Sequence, residues 1–140
     1  MSWFHWALAS AVFAGATAVL AKAGTSQVEP NLATAIRTTV VLVFTWGIVA
    51  FSRGETPWNV TRSGLAFLLL SGLATAASWL CYFRALHLGE ASSVAPVDKL
   101  SVVFAIIFAG LFLGEELTWR HYLGGALIVA GSLTIALKPA

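Results

Sequence analysis

Five ionisable side chains, Lys22, Arg37, Arg84, Asp98 and Lys99, fall within or at the ends of runs that are otherwise apolar. A charge inside such a run costs on the order of 1 to 3 kcal/mol even on insertion scales, so it faces a partner charge, the bundle interior or a wet cavity. Two uses follow for Arg37 and Asp98. They form a salt bridge that pins two helices, or they line a polar passage that binds a solute. Lys22 and Arg84 lie nearer the run ends, where long stems carry a charge to the interface. Pro96 precedes Asp98 and Lys99; its missing N–H and its ring kink or loosen a helix. Carbonyls freed in this way are tolerated at membrane depth where they face protein or a water-filled cavity.

Hydroxyls and aromatics fall on faces that these charges share. At about 100° per residue, Thr34, Arg37, Thr38 and Thr45 form one stripe, while Ser71, Thr75, Ser78, Trp79 and Tyr82 form another. Asp98 and Ser101 share a face that continues through Ala105 and Ala109, which leaves room rather than filling it. A single Ser or Thr can satisfy itself on the preceding turn of its own helix. The alignment is what points to a common cavity. Arg37 and Lys99 suit an anionic or zwitterionic group, with Asp98 to orient or neutralise them and Trp46, Trp79 and Tyr82 to supply apolar or cation–π surface. Trp46 lies opposite Arg37 on the helical wheel.

Other chemistries find little support. His5, His87 and His121 are scattered near run ends, with no nucleophile pairing and no metal-ligand spacing, so the chain is expected to be no enzyme. No cofactor, metal or nucleic-acid partner is expected. Cys81 is the single cysteine, which excludes an intrachain disulfide and a thiol metal cluster.

The elements that must position these groups are membrane helices. Of 140 residues, 59% are hydrophobic and 10% charged, with a mean hydropathy of +0.85. A bilayer core of about 30 Å takes roughly 20 helical residues to cross, and five stretches fit, at residues 3–21, 31–51, 64–86, 92–113 and 120–137. The fold class is therefore all-α, a polytopic membrane protein whose residues 1–140 form a single transmembrane domain surrounded by lipid. The connections are too short to hold a soluble domain. The apolar runs are continuous, whereas barrel strands alternate. "AKAG" at residues 21–24 has the form of a signal-peptidase site, but no positive region precedes it and the apolar run is longer than a signal core.

Five crossings put the termini on opposite sides. One side then carries Arg53, Arg62 and Arg120, and the other Lys22, Arg84 and Lys138. This balance leaves orientation unbiased, which allows copies to insert both ways and pair head to tail; the alternative is a weak preference set by Arg37 and Lys99. Trp3, Trp6, Trp58 and Trp119 all belong to the first side, where they can anchor at headgroup level. Small residues offer close packing. Ala126, Ala130 and Thr134 are spaced four apart and Gly124 and Gly131 seven apart, with Ala7, Ala11 and Gly15 in the same register. These ridges serve intrachain packing or a dimer seam.

Residues 82–135, with "LGEASSVAPV", "FLGE" at 112–115 and "LGGALIVAG", resemble the closing part of the EamA repeat of the drug/metabolite transporter superfamily. "WALASAVFAGATAVLAKAG" and "NLATAIRTTVVL" are similar to the first two helices of that repeat in its five-helix bacterial and archaeal branch. Typical members carry two inverted repeats, ten helices in all, and move small metabolites by alternating access. The resemblance thus implies a transporter in the cytoplasmic (inner) membrane of a bacterium or archaeon, completed by a second, antiparallel copy of the chain. Related small multidrug transporters place a Glu in the first helix for proton coupling, whereas residues 3–21 contain no acid. The expected activity is transport of a small polar or amphipathic solute, bound near the midplane between inverted copies. The alternative is a non-transporting assembly or accessory subunit that offers its small-residue ridges to a partner.

Overall fold

The computed structural model describes residues 2–52 and 60–137, and all regular structure among them is helical. The order is α1 (Trp3–Thr25), α2 (Pro30–Phe51), α3 (Arg62–Leu88), α4 (Ala91–Asp98), α5 (Ser101–Phe112) and α6 (Trp119–Ala136). Arg53, Trp58 and Lys138, which enter the orientation argument, lie outside the described residues. By length and hydropathy, four helical spans can cross a membrane: α1, α2, α3 and the combined stretch Ala91–Phe112. The fifth expected crossing corresponds to α6. Its 18 residues open with the polar run Trp119, Arg120, His121 and Tyr122, which dilutes its apolar character.

Local chemistry accounts for the helix ends. Glu29 caps α2 by accepting the Leu32 N–H at 3.0 Å, with Pro30 in the first turn where its missing N–H costs nothing. At α6, Thr118 and His121 cap reciprocally, the Thr118 N–H donating to His121 Nδ1 at 3.0 Å. Helix α5 stops at Gly114, whose φ of 67° is a left-handed conformation that a side chain would strain.

The fourth apolar stretch departs from the sequence expectation. A single helix kinked at Pro96 is expected; instead the helix breaks three residues later, between α4 and α5 at Lys99 and Leu100. Around the break the ladder tightens. Lys99 N–H donates to Pro96 O at 3.1 Å, Leu100 to Val97 at 3.0 Å, Val102 to Lys99 at 3.0 Å and Val103 to Leu100 at 2.9 Å, all three residues back. Such a 3₁₀ stretch inside a long helix is the usual response to a disturbed α ladder.

The chain divides into two compact units, Ala21–His87 and the remainder, Met1–Leu20 with Leu88–Ala140. In the second, α6 packs on α4 and α5. Its inward face uses Gly125 and Ser132, both buried and seven residues apart. The ridge expected to pack lies elsewhere: Gly124 is half-buried, while Ala126, Ala130, Gly131 and Thr134 are exposed. In the Ala21–His87 unit, the end of α1 meets the end of α3. Large apolar side chains such as Phe44, Phe67, Leu73 and Phe104 are exposed, which is unfavourable in water and neutral in hydrocarbon.

Candidate functional site

Helices α2 and α3 enclose a groove of about 750 Å3 within the Ala21–His87 unit. Both helices are continuous, so the 3.6-residue repeat keeps the threonines of α2 on one face. Thr34, Thr38 and Thr45 line the groove from α2, and Ser71, Thr75 and Trp79 line it from α3. Leu42, Leu68 and Ala76 supply apolar wall between them. Sequence reasoning missed Asn31 and Thr39, which also line it; Asn31 falls on the stripe of Thr34, Thr38 and Thr45, which was an available signal, whereas Thr39 lies about 100° or more away from them.

Hydroxyl groups along the groove donate to their own helices. Thr34 Oγ1 donates to Pro30 O at 2.8 Å, Thr38 to Thr34 O at 2.8 Å, Thr45 to Val41 O at 2.8 Å and Thr75 to Ser71 O at 2.9 Å. Thr39 does the same to Ala35 O at 3.0 Å.

Arg37 stands beside one end of this groove. Its guanidinium carbon lies 4.1 Å from the centroid of the Trp79 ring and 5.5 Å from that of Phe83. Trp79 therefore belongs both to the groove wall and to the cation–π stack. An Arg on an indole face is attracted by the ring quadrupole, by about 0.5 to 2 kcal/mol depending on desolvation. Phe83 is buried beneath the pair, a contact that sequence periodicity did not single out. Tyr82 is half-buried and stacks edge-on with Phe83, ring centroids 6.4 Å apart. Ser78 is exposed and is not part of the groove wall, and Trp46 is likewise exposed.

Lys22 makes a defined contact. Its ammonium donates to the Leu86 carbonyl at 2.7 Å, while His87 Nδ1 contacts the Thr25 carbonyl at 2.9 Å. The carbonyl can only accept, so Nδ1 carries the proton there. Each helix thus caps a carbonyl at the C-terminal end of the other, where the last turn leaves acceptors unpaired. Thr25 and Leu86 are fully buried at this clasp.

The remaining candidates lie in the other unit. Asp98 pairs with its neighbour Lys99 at 3.5 Å, Asp98 half-buried and Lys99 exposed. Ser101 begins α5 and is exposed. Ser132 Oγ, buried on α6, donates to Pro96 O at 2.8 Å. Leu100 turns its own N–H to Val97 instead, so the serine supplies a donor to a carbonyl that the tightened ladder serves only through Lys99. Ser132 was not foreseen from sequence, because its partner is a backbone atom on another helix.

Hydroxyls of α2 and α3 thus share one groove in an apolar wall, and Trp79 joins that wall to the Arg37 guanidinium. The profile of the EamA-like transporter family matches residues 1–137. The chain belongs to the EamA-like transporter family. A Sinorhizobium protein named "Uncharacterized transporter in cobO 3'region" is 52% identical over 137 residues, covering 97% of each chain. Human solute carrier family 35 member G1 is 34% identical over 135 residues, 94% of this EamA-like chain but 36% of the human one. The pseudopaline exporter CntI of Pseudomonas aeruginosa is 36% identical over 80 residues, 57% of this chain and 28% of the exporter. This EamA-like chain is thus small and half-size: it matches the Sinorhizobium protein end to end and spans only about a third of the other two. No solved structure matches it. Family membership and transporter-named relatives together support an integral membrane transporter of small solutes.

Proposed function

We propose that this chain moves a small polar or amphipathic solute across the cytoplasmic membrane of a bacterium or archaeon by alternating access. Each copy contributes five crossings, with α4 and α5 counted as one and α6 as the last, and two antiparallel copies complete the pathway. The α2–α3 groove carries this reading, because its row of hydroxyls ends at Trp79, the ring against which the Arg37 cation lies. Size supports the pairing: 94% of this chain matches only 36% of the human carrier, leaving room in that relative for further units of this kind. The balance of Lys and Arg on the two sides is consistent with insertion in both orientations.

Proteoliposomes containing the purified chain, loaded with a panel of labelled polar and amphipathic metabolites, test transport directly. At least one solute should cross faster than through protein-free liposomes, and Arg37→Ala should slow it about tenfold or more, the scale of one lost charged contact, with unchanged membrane insertion. A variant that transports at the parental rate would remove Arg37 from the pathway. A panel in which no solute crosses above background would reject transport. Accessibility of tags on both termini in intact cells decides the pairing: both tags should be reached from outside in a dual population, and one only if orientation is fixed.

A further inference from the structure

We infer that the α2–α3 groove is a subsite for an elongated zwitterion, with its anionic group at the Arg37 end and its ammonium toward the Thr45 end of the threonine row. This rests on the transport reading above but concerns binding, which is measured without flux.

The hydroxyl protons along the groove already have acceptors. Thr34, Thr38, Thr45 and Thr75 each give theirs to a carbonyl four residues back, at 2.8 to 2.9 Å. A hydroxyl has one proton and two acceptor lone pairs. With the proton committed to the backbone, each threonine has only acceptor capacity left for a ligand. A carboxylate lying along the row would meet oxygen lone pairs, whereas an ammonium or amide N–H would meet partners.

At the Trp79 end the preference reverses. The guanidinium carbon lies 4.1 Å from the Trp79 ring centroid, and its five N–H donors point outward from that carbon in the guanidinium plane. Glu29 is the one carboxylate among the described residues of this unit, and it accepts the Leu32 N–H at the start of α2. No carboxylate among those residues pairs with Arg37, so its edge is available to a ligand anion. The row from Thr34 to Thr45 covers about 16 Å of helix axis at 1.5 Å per residue, and the volume of about 750 Å3 accepts a slender molecule of that length. Leu42, Leu68 and Ala76 make the intervening wall apolar, so the spacer between the charged ends is hydrocarbon.

Three probes share one chain and differ only at its ends: ω-aminododecanoate, dodecanoate and dodecylamine. Each is titrated into the full chain in phosphatidylcholine nanodiscs and followed by tryptophan fluorescence, with Trp79→Phe as the blank. The zwitterion should bind about tenfold or more tightly than either single-ended probe, since each single-ended probe forgoes one hydrogen bond to a charged group. Replacing Thr38, Thr45 and Thr75 together by Val, which keeps side-chain shape, should weaken the zwitterion by about tenfold and leave dodecanoate within about twofold. The corresponding Ser replacements should restore it. Equal affinity for all three probes would identify a non-selective slot such as a lipid chain fills, and would overturn the proposal. So would parental affinity in the Val variant, or saturable binding that survives in Trp79→Phe. Absence of binding by any probe alongside clear flux in proteoliposomes would remove the subsite and leave transport standing; selective binding without flux would do the reverse.

Discussion

In the α2–α3 unit the threonines bond within their own helix and both helices run unbroken, whereas in the α4–α6 unit Ser132 reaches across to a helix whose ladder is interrupted. The same functional group therefore does two jobs. A threonine that bonds its own preceding turn adds little to stability, because the bond ties no second element to its helix. The serine on α6 supplies a donor at a proline-disturbed turn, where lipid cannot replace it. The groove threonines give their protons to their own helix, and Ser132 gives its proton to a neighbouring one.

The largest expected effect separates these two roles. Ser132→Ala should destabilise the protein by about 1 to 3 kcal/mol, because the cross-helix bond is lost and the half-buried Pro96 carbonyl keeps only Lys99. Thr75→Val should stay within about 0.5 kcal/mol. Thermal melting in one detergent compares them, and equal losses would erase the distinction. A somewhat smaller effect is expected at the α1–α3 clasp. Lys22→Met keeps the stem but removes the donor to the buried Leu86 carbonyl, and should cost about 1 to 2 kcal/mol. A melt unchanged by that substitution would return Lys22 to a purely interfacial or pathway role.

The smallest effect sits at the entrance to α2. Hydrogen bonds from the backbone of Asn31 and Leu32 hold the Glu29 carboxyl below its ordinary value of 4.5. The ionised group thus supports the helix fully above pH 4.5, and that support is lost as pH falls through its lower folded value. Glu29→Gln should therefore melt slightly below the parent at neutral pH and converge with it in acid. A gap that widened in acid would have the wrong sign.

Hydropathy made the helices legible, because spanning length and apolar content are properties of a run and need no neighbour. The threonine and serine stripes were legible for a similar reason, since rotation about one helix is fixed by its repeat. What sequence could not supply was the pairing between helices. Arg37 was read with Asp98, as a salt bridge or a shared passage, while its contact with Trp79 depends on how α3 is rotated toward α2. Ser132 was hidden because its partner, Pro96 O, carries no side-chain signature. The position of the break was also missed: proline marks where a ladder is disturbed, but the tightened bonds displace the discontinuity to Lys99 and Leu100.

Ser132 and Pro96 stand 36 residues apart in the chain, and this separation bears on biogenesis. The interrupted α4–α5 segment leaves the ribosome first, so one of its carbonyl contacts must wait until the final helix has been synthesised. A nascent chain arrested upstream of residue 132 would hold this span, long and apolar enough to enter the bilayer by itself, without its cross-helix bond, so its final packing would follow insertion.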